Sequence, residues 1–265
     1  MHPERLGGVI LVPVRVVGPD VQMRRSFMAY LLRWSRHAAL AALLASSCLA
    51  AGIEPAERYR TVRPSPDGIG KVYMGREIAQ VMGWQAAPWL ERDEREREER
   101  SDVLIRLLDL KPGNVVADVG AGSGYYTRRI ANRVGPSGRV FAVDVQPEMI
   151  RMLGAIAKRP DYAHVVPVLG STNDVKLPMA SVDLAIMVDV YHELVFPFEV
   201  MAILVRAVKP AGRIVLVEYR AEDAKVPMHK MSEAQVRREV QQHDVAWERT
   251  ENALPWQHVV VFRRK

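Results

Sequence analysis

The sequence predicts an α/β protein in which a doubly wound sheet of about seven strands is covered by helices on both faces. Short apolar runs alternate with helical patterns from residue 111 onward, which is typical of such sheets. The run 184–188 is entirely apolar, as expected for a central strand that is buried on both faces. Near the end of the chain, segments 246–250 and 258–263 flank Leu254 and Pro255. They predict a final hairpin, so that the last strand is antiparallel to the others.

The segment 115–124, VVADVGAGSG, predicts a strand followed by a glycine turn. Val115, Val116 and Ala117 form the apolar run, and the glycines stand at alternate positions after Asp118. The next ten residues, Tyr125 to Val134, have the apolar spacing of a helix. A strand, a glycine turn and a helix in this order let bare backbone approach a nucleotide-like ligand, because a Cβ would obstruct the turn.

A second apolar run, Val140 to Val143, ends in Asp144, twenty residues after Gly124. An acidic residue at the end of the second strand can accept hydrogen bonds from both hydroxyls of a ribose. The alternative is that Asp144 caps the helix that begins near Pro147. Its spacing behind the glycine turn favours the ribose interpretation.

The glycines do not form the dinucleotide-binding fingerprint, which requires glycine at its first, third and sixth positions. Counted from Gly120, the sixth residue is Tyr125. The sequence D-V-G-A-G-S-G with a downstream acid instead resembles the first two motifs of class I S-adenosylmethionine-dependent methyltransferases, and the resemblance extends over about residues 100 to 265. It implies a Rossmann-like fold with S-adenosylmethionine as the cofactor. The final hairpin agrees, because it distinguishes methyltransferases from dinucleotide-binding folds.

The resemblance also implies which residues bind the cofactor. The glycine turn cradles its methionine part, and Asp144 holds its ribose. In many family members an aspartate just after the glycine of the third-strand loop reads the adenine amino group; here that position is Ser171, with Asp174 further along, and a plain turn is the alternative. The predicted cofactor-binding residues are Asp118, Gly120, Gly122, Gly124, Asp144, Val145, Ser171 and Asp189.

The candidate catalytic residues follow the central strand, in the segment Asp189 to Glu193. Ligands of open parallel sheets lie beyond the carboxyl ends of the strands, so this segment is expected to face the reacting groups. His192 is a candidate general base, since its ordinary pKa suits neutral pH, and Tyr191 is the second catalytic candidate. The alternative is that His192 and Glu193 only open the helix that runs to Val208.

The chain divides into four predicted parts: a leader (1–51), a linker with three prolines (52–72), a helical extension or lid (73–110) and the methyltransferase domain (111–265). In the extension, Ile78, Val81 and Met82 have helical spacing, which predicts a helix at the edge of the domain or a lid over the methyl donor. Its G-R-E-I and W-L-E-R stretches resemble a group of bacterial methyltransferases of undetermined substrate. The run 91–100, ERDEREREER, is interpreted as a solvated helix with favourable i, i+4 pairs and no role in chemistry.

The charge of the chain gives little support to a nucleic-acid partner. Its net charge is +6 over 265 residues, but the leader holds six arginines against two acidic residues, so most of the excess is there. The leader has a basic region followed by the apolar Ala38 to Ala51, which predicts export with cleavage near Ala50 and no stable membrane span in the mature chain. A retained membrane tether and a cytoplasmic chain are the alternatives.

The sequence as a whole predicts a methyltransferase that acts on a small-molecule acceptor. An exported protein that binds S-adenosylmethionine without turnover is an alternative, and a nicotinamide-dependent oxidoreductase is another. One cysteine and seven scattered histidines show no zinc-binding spacing, so no metal site is predicted.

Overall fold

A computed structural model describes residues 58–222 and 229–265 of the chain. The predicted leader 1–51, with its cleavage position near Ala50, and the first residues of the predicted linker lie outside the described residues.

The main sheet has seven strands in the order β6-β5-β4-β7-β8-β10-β9. All neighbouring strands are parallel except β10, which is antiparallel to both β8 and β9. The predicted doubly wound sheet with an antiparallel last strand is therefore confirmed. Its strands are β4 (Val115–Val119), β5 (Arg139–Asp144), β6 (Val165–Leu169), β7 (Val182–Val188), β8 (Val208–Tyr219), β9 (Val245–Glu251) and β10 (Gln257–Arg264).

Helices cover both faces of this sheet, and each face has its own apolar core. On one face, buried residues of α3 (Ser101–Leu107), α4 (Tyr125–Val134) and α5 (Pro147–Ala157) pack against the strands. On the other face, α6 (Pro197–Ala207) and α7 (Glu233–Val240) do the same. Helix α7 begins after Ser232, whose hydroxyl accepts a hydrogen bond from the backbone N–H of Gln235 at 3.2 Å.

The N-terminal part of the described chain forms a second, three-stranded antiparallel sheet. It consists of β1 (Tyr59–Thr61), β2 (Gly68–Tyr73) and β3 (Arg76–Ala79). The predicted linker and the predicted helix from Tyr73 were wrong here. The reason is the pair Met74 and Gly75, whose φ angles of 46° and 93° make a two-residue hairpin turn between β2 and β3.

Arg76 at the start of β3 fastens this small sheet to the main domain. Its guanidinium donates to both carboxylate oxygens of Glu239 in α7, each at 3.0 Å. It also donates to the backbone carbonyl oxygen of His192 at 2.9 Å. Since Glu239 is buried, this bidentate pair ties the hairpin to the region that follows the central strand.

The charge run after the small sheet does not form one solvated helix, contrary to the prediction. A 3₁₀ turn (Trp84–Ala86) and α1 (Ala87–Leu90) lead into α2 (Arg95–Glu99), which ends where Arg100 adopts a φ of 51°. Arg95 and Glu99 are 4% and 0% exposed and bond to each other at 2.8 Å. Two residues of the run, one positive and one negative, are therefore buried as a pair. None of the helices in the described part of the chain is both long and apolar enough to cross a membrane.

Candidate functional site

The glycine turn lies between β4 and α4, at the carboxyl end of the sheet. The backbone N–H groups of Gly120 and Ala121 both donate to the carbonyl oxygen of Val143 in β5, at 2.8 and 3.0 Å. Gly120 has a φ of +74°, and a Cβ at that position would lie 2.4 Å from a methyl carbon of Val190. Backbone conformation and close packing therefore both require glycine there.

Asp144 ends β5 beside this turn, as predicted. One of its carboxylate oxygens accepts from the N–H of Gly122 and the other from the N–H of Gln146, both at 2.9 Å. Burial raises the pKa of this carboxyl group, which is 6% exposed. A carboxylate has about four acceptor positions, so two remain after these backbone bonds and are available to the hydroxyls of a ligand.

A cavity of about 340 Å³ opens beyond the carboxyl ends of the parallel strands. This volume lies in the range that is usual for small-molecule sites. One side of the cavity is formed by the glycine turn and Asp144, and the opposite side by the segment after the central strand. The predicted site residues that line it are Gly120, Gly122, Asp144, Val145, Ser171, Asp189 and His192.

Two other predicted cofactor-binding residues, Asp118 and Gly124, stand behind the turn rather than on the wall of the cavity. A carboxylate oxygen of Asp118 accepts from the hydroxyl of Thr127 at 2.6 Å, and burial raises the pKa of Asp118 to about 6. Gly124 begins α4 with a φ of +84°, and a Cβ there would lie 2.5 Å from Ile156. Both residues hold the turn in place from its buried side.

The loop after β6 brings both Ser171 and Asp174 to the cavity. The hydroxyl of Ser171 donates to the side-chain oxygen of Asn173 at 2.9 Å. Asp174 pairs with the ammonium group of Lys176 at 2.6 Å. The loop is therefore placed where the adenine prediction needs it, and the contact itself stays a prediction.

Asp189 follows the central strand with an unusual backbone and an incompletely bonded side chain. Its φ is 54°, in the left-handed region that non-glycine residues seldom adopt. One carboxylate oxygen accepts from the side-chain amide of Gln257 at 2.8 Å. The other is buried without a hydrogen-bond partner among the described residues. Burial raises the pKa of Asp189 well above its ordinary value. Strain and an unpaired buried oxygen in one residue on the cavity wall are typical of a ligand-binding position.

His192 lies in a 3₁₀ turn (Tyr191–Glu193), and α6 begins only at Pro197, so the alternative that this segment opens the helix was wrong. The Nδ1 atom of His192 lies 2.5 Å from a carboxylate oxygen of the buried Glu218. Burial alone would lower the pKa of His192, but the Glu218 carboxylate beside it raises it, and the net shift is upward. Because Nδ1–H donates to Glu218, the lone pair of Nε2 is left free.

Tyr191, the other catalytic candidate, does not reach the cavity, contrary to the prediction. Its ring is fully buried in the core beneath α6, and burial raises the pKa of its hydroxyl well above the ordinary value. Its backbone N–H donates to Glu218 at 3.0 Å. Tyr191 therefore fixes the carboxylate that holds His192.

Glu193 and His229, which are not among the predicted catalytic residues, join His192 at the cavity. A carboxylate oxygen of Glu193 lies 3.9 Å from Nε2 of His192 and 3.8 Å from Nδ1 of His229. Burial raises the pKa of Glu193 to about 7. The pKa of His229 is lowered, both by burial and by the neighbouring His192. The two histidines are 37 positions apart in the chain, so no local spacing connects them.

Arg95 is a second residue of the site that sequence reasoning missed. It lines the cavity, with Nε bonded to Glu99 and Nη1 donating to the carbonyl oxygen of Leu90, both at 2.8 Å. Its guanidinium also lies 4.2 Å from the centre of the Tyr125 ring. The alternating charges around it are typical of a solvated helix, and only the tertiary fold shows that this arginine is buried.

These residues fit the chemical groups of S-adenosylmethionine. Asp144 offers free acceptor positions to ribose hydroxyls, and Asp189 offers an unpaired buried oxygen to a donor such as an amino group. Arg95 offers a buried positive charge to a carboxylate. Because glycines have no side chains, the backbone of the turn is accessible to the methionine part of the cofactor, which would lie between these groups.

Residues 110–258, more than half of the chain, match the sequence model of a protein family described as a methyltransferase domain. The chain belongs to the class I S-adenosylmethionine-dependent methyltransferases. The predicted family, the predicted enzyme class and the cofactor S-adenosylmethionine are thereby confirmed.

A solved S-adenosylmethionine-dependent methyltransferase from Aquifex aeolicus has the same fold as this methyltransferase. It superimposes with a TM-score of 0.66 at 23% identity, over 70% of this chain and 100% of its own.

Two relatives are similar to the methyltransferase in sequence. A protein-L-isoaspartate O-methyltransferase from Aeropyrum pernix is 40% identical over 75 residues, which are 28% of this chain and 29% of the relative. A nocamycin O-methyltransferase from Saccharothrix syringae is 34% identical over 113 residues, 42% of this chain and 40% of the relative. The chain spans about a third of the length of the first relatives that it matches.

Proposed function

We propose that this chain transfers the methyl group of S-adenosylmethionine to a small-molecule acceptor that binds beside His192. The observation that carries the proposal is a single cavity whose wall joins the cofactor-type residues, such as Asp144 and Ser171, to the cluster of His192, Glu193 and His229. The cofactor supplies a methyl group that is already activated on a sulfonium. The protein then has mainly to align the acceptor with that group.

Different residues of the chain would bind different groups of the cofactor. Asp144 would accept the two ribose hydroxyls, and the backbone around Gly120 and Gly122 would lie along the methionine part. Arg95 would pair with the carboxylate of the cofactor, and the unpaired oxygen of Asp189 would accept from its amino group. The chemistry and the burial of each of these protein groups support the assignment.

The N-terminal segment favours a small acceptor. Val81, Met82, Trp89 and Leu90 all line the cavity and precede the segment that matches the family. These apolar side chains give the cavity an apolar wall next to the histidine cluster, where the backbone N–H of Met82 donates to Glu193 at 3.3 Å. Such a wall suits an acceptor with an apolar body. The names of the relatives point both to a protein and to a small molecule as acceptors, but those relatives match this chain over less than half of its length.

Calorimetry with S-adenosylmethionine and with its demethylated product tests the cofactor side. Asp144→Ala should weaken both affinities at least tenfold, because the hydroxyls would lose a charged acceptor. Asp183→Ala is the matched control, since Asp183 lies outside the cavity lining. Affinity that is equal in Asp144→Ala and in the intact chain would remove the ribose assignment.

Incubation of the protein with S-adenosylmethionine labelled on the methyl group, in small-molecule extracts, tests the acceptor side. The label should appear in a compound that passes a small-pore filter, and it should be lost in Asp144→Ala. Label that appears only in protein or nucleic acid would refute the small-molecule proposal.

We also propose that the chain is exported and cleaved near Ala50. This rests on the basic and apolar pattern of the leader alone. N-terminal sequencing of the protein recovered from separated cell compartments tests it. A chain found in the cytoplasm with its leader intact would contradict export.

A further inference from the structure

His192, Glu193 and His229 bring three potential ligand atoms together at the cavity wall. These atoms, Nε2 of His192, a carboxylate oxygen of Glu193 and Nδ1 of His229, all lie within 4.8 Å of one another. Two imidazoles and one carboxylate are a common ligand set for divalent first-row metal ions, with zinc and ferrous iron the usual occupants.

Both histidines are anchored through the ring nitrogen that faces away from the cluster. Nδ1 of His192 bonds to the buried Glu218 at 2.5 Å. Nε2 of His229 lies 2.9 Å from a carboxylate oxygen of Asp67. A histidine that binds a metal ion usually donates its second N–H to a carboxylate in this way, which fixes the tautomer and aims the other lone pair at the ion. Here the same arrangement occurs twice, on segments far apart in the chain.

The free atom of His229 has no other role in the structure. Its Nδ1 is buried and has no hydrogen-bond partner among the described residues. An unpaired buried nitrogen is costly unless a ligand satisfies it. The ring of His229 also lies beside that of His192, with the two ring centres 5.3 Å apart.

The geometry points to a site for one divalent transition-metal ion, held by Nε2 of His192, a carboxylate oxygen of Glu193 and Nδ1 of His229. Ligands about 2.05 Å from a tetrahedral ion are separated by about 3.3 Å. The separations of 3.8 and 3.9 Å between the Glu193 oxygen and the two histidine nitrogens therefore require these side chains to close by about half an ångström around the ion. The two nitrogens lie within 4.8 Å of each other and must also approach.

Three protein ligands leave one coordination position open, as in catalytic zinc sites. This position faces the cavity, because all three residues line it. If the proposed function holds, the open position takes a donor atom of the acceptor. The acceptor would then be a compound with a metal-binding oxygen or sulfur group. The ion would occupy the lone pair of His192 that a general base would use, so the two roles of His192 exclude each other.

Calorimetric titration of the tag-free full chain with Zn²⁺, after removal of metal by a chelator, tests the site. We expect one ion to bind per chain. Glu193→Gln and His229→Ala should each lower the affinity at least 100-fold, and Asp67→Asn should lower it about 10- to 100-fold, since Asp67 only orients a ligand. His164→Ala is the matched control, because it removes a histidine that lies outside the cavity lining. The site is refuted if Zn²⁺ does not bind, or if it binds equally to all variants.

Two further measurements separate this inference from the proposed function. Binding of S-adenosylmethionine should persist in Glu193→Gln and His229→Ala, which also shows that the variants are folded. If the intact chain binds S-adenosylmethionine but not Zn²⁺, the metal site alone is refuted. If the intact chain does not bind S-adenosylmethionine, the proposed function is refuted. With Co²⁺ in the site, added thiophenol should produce a sulfur-to-metal charge-transfer band; its absence would refute the open position.

Discussion

Replacement of Asp118 by asparagine should stabilise the protein at neutral pH. Asp118 is 3% exposed, and its main partner is the hydroxyl of Thr127. An asparagine side chain has nearly the same shape, and its oxygen can accept the same hydrogen bond. The substitution therefore removes a buried charge while it leaves the contact in place.

The direction of the effect follows from the raised pKa of Asp118, which burial shifts from 3.8 to about 6. The folded state binds this proton more tightly than the unfolded state. Asp118 therefore costs no stability below pH 3.8, where both states are protonated, and its cost grows until the pH exceeds about 6.

The size of the effect can be worked out from the same shift. Two pKa units correspond to about 3 kcal/mol of lost stability above pH 6. The new amide group must also be buried, which costs about 1 kcal/mol. The net gain of Asp118→Asn should be about 2 kcal/mol at pH 7.5, and the variant should be about 1 kcal/mol less stable than the intact chain at pH 3.5.

Urea denaturation at several pH values between 3.5 and 7.5 measures this difference. The decisive quantity is how far the stability difference between the variant and the intact chain changes from pH 3.5 to pH 7.5. The cost of burying the amide is the same at both pH values and cancels. Asp161→Asn serves as the control, since Asp161 is exposed and its substitution removes no buried charge. A flat profile for Asp118→Asn would show that the folded protein does not bury this charge.

Three further substitutions or deletions test the fold around the site. Gly120→Ala should weaken binding of S-adenosylmethionine at least tenfold in calorimetry, because its Cβ would meet Val190 at 2.4 Å and its φ of +74° is unfavourable for alanine. Gly113→Ala, with a φ of +87° but its nearest contact at 3.8 Å, should share only the backbone strain and keep its affinity. Glu99→Ala should lower the free energy of unfolding in urea by about 3 kcal/mol, since it removes the carboxylate that pairs with the buried Arg95 and one of the two that pair with Arg92; a loss below about 1 kcal/mol would show that the network is solvated. Deletion of residues 246–265 removes β10 and all but the first residue of β9, the last two strands in the sheet order, and should abolish cooperative melting in calorimetry; a truncated chain that melts like the intact one would contradict this.

The cofactor half of the fold could be predicted because its signals are local. The strand, glycine turn and helix from Val115 to Val134 lie within twenty residues, and Asp144 follows at a fixed spacing. Strand β7 lies where the apolar run predicts it, because a strand buried on both faces needs no polar alternation. In each case the residues that show the sequence pattern also form the strand, turn or helix that the pattern predicts.

Other parts of the site could not be predicted, because their contacts are between distant residues. Glu99 is buried only because Arg92 and Arg95 pair with it, at 2.9 and 2.8 Å, while it packs among residues of other segments. Asp67 meets His229 across more than 160 positions of the chain. Periodicity describes one element at a time, and it contains no information about which charged residues will find partners in a different element.

The segment before residue 110 gives the cavity a wall that lies outside the region that defines the family. Val81, Met82, Trp89 and Arg95 all belong to this wall. Two enzymes could therefore share the whole cofactor-binding half and still admit different acceptors, if their leading segments differ. Exchange of residues 58–90 between related enzymes, which leaves Arg95 in place, would then transfer the acceptor preference while the methyl donor stays unchanged. In that case the apolar part of the acceptor wall could change while the glycine turn and Asp144 stay the same.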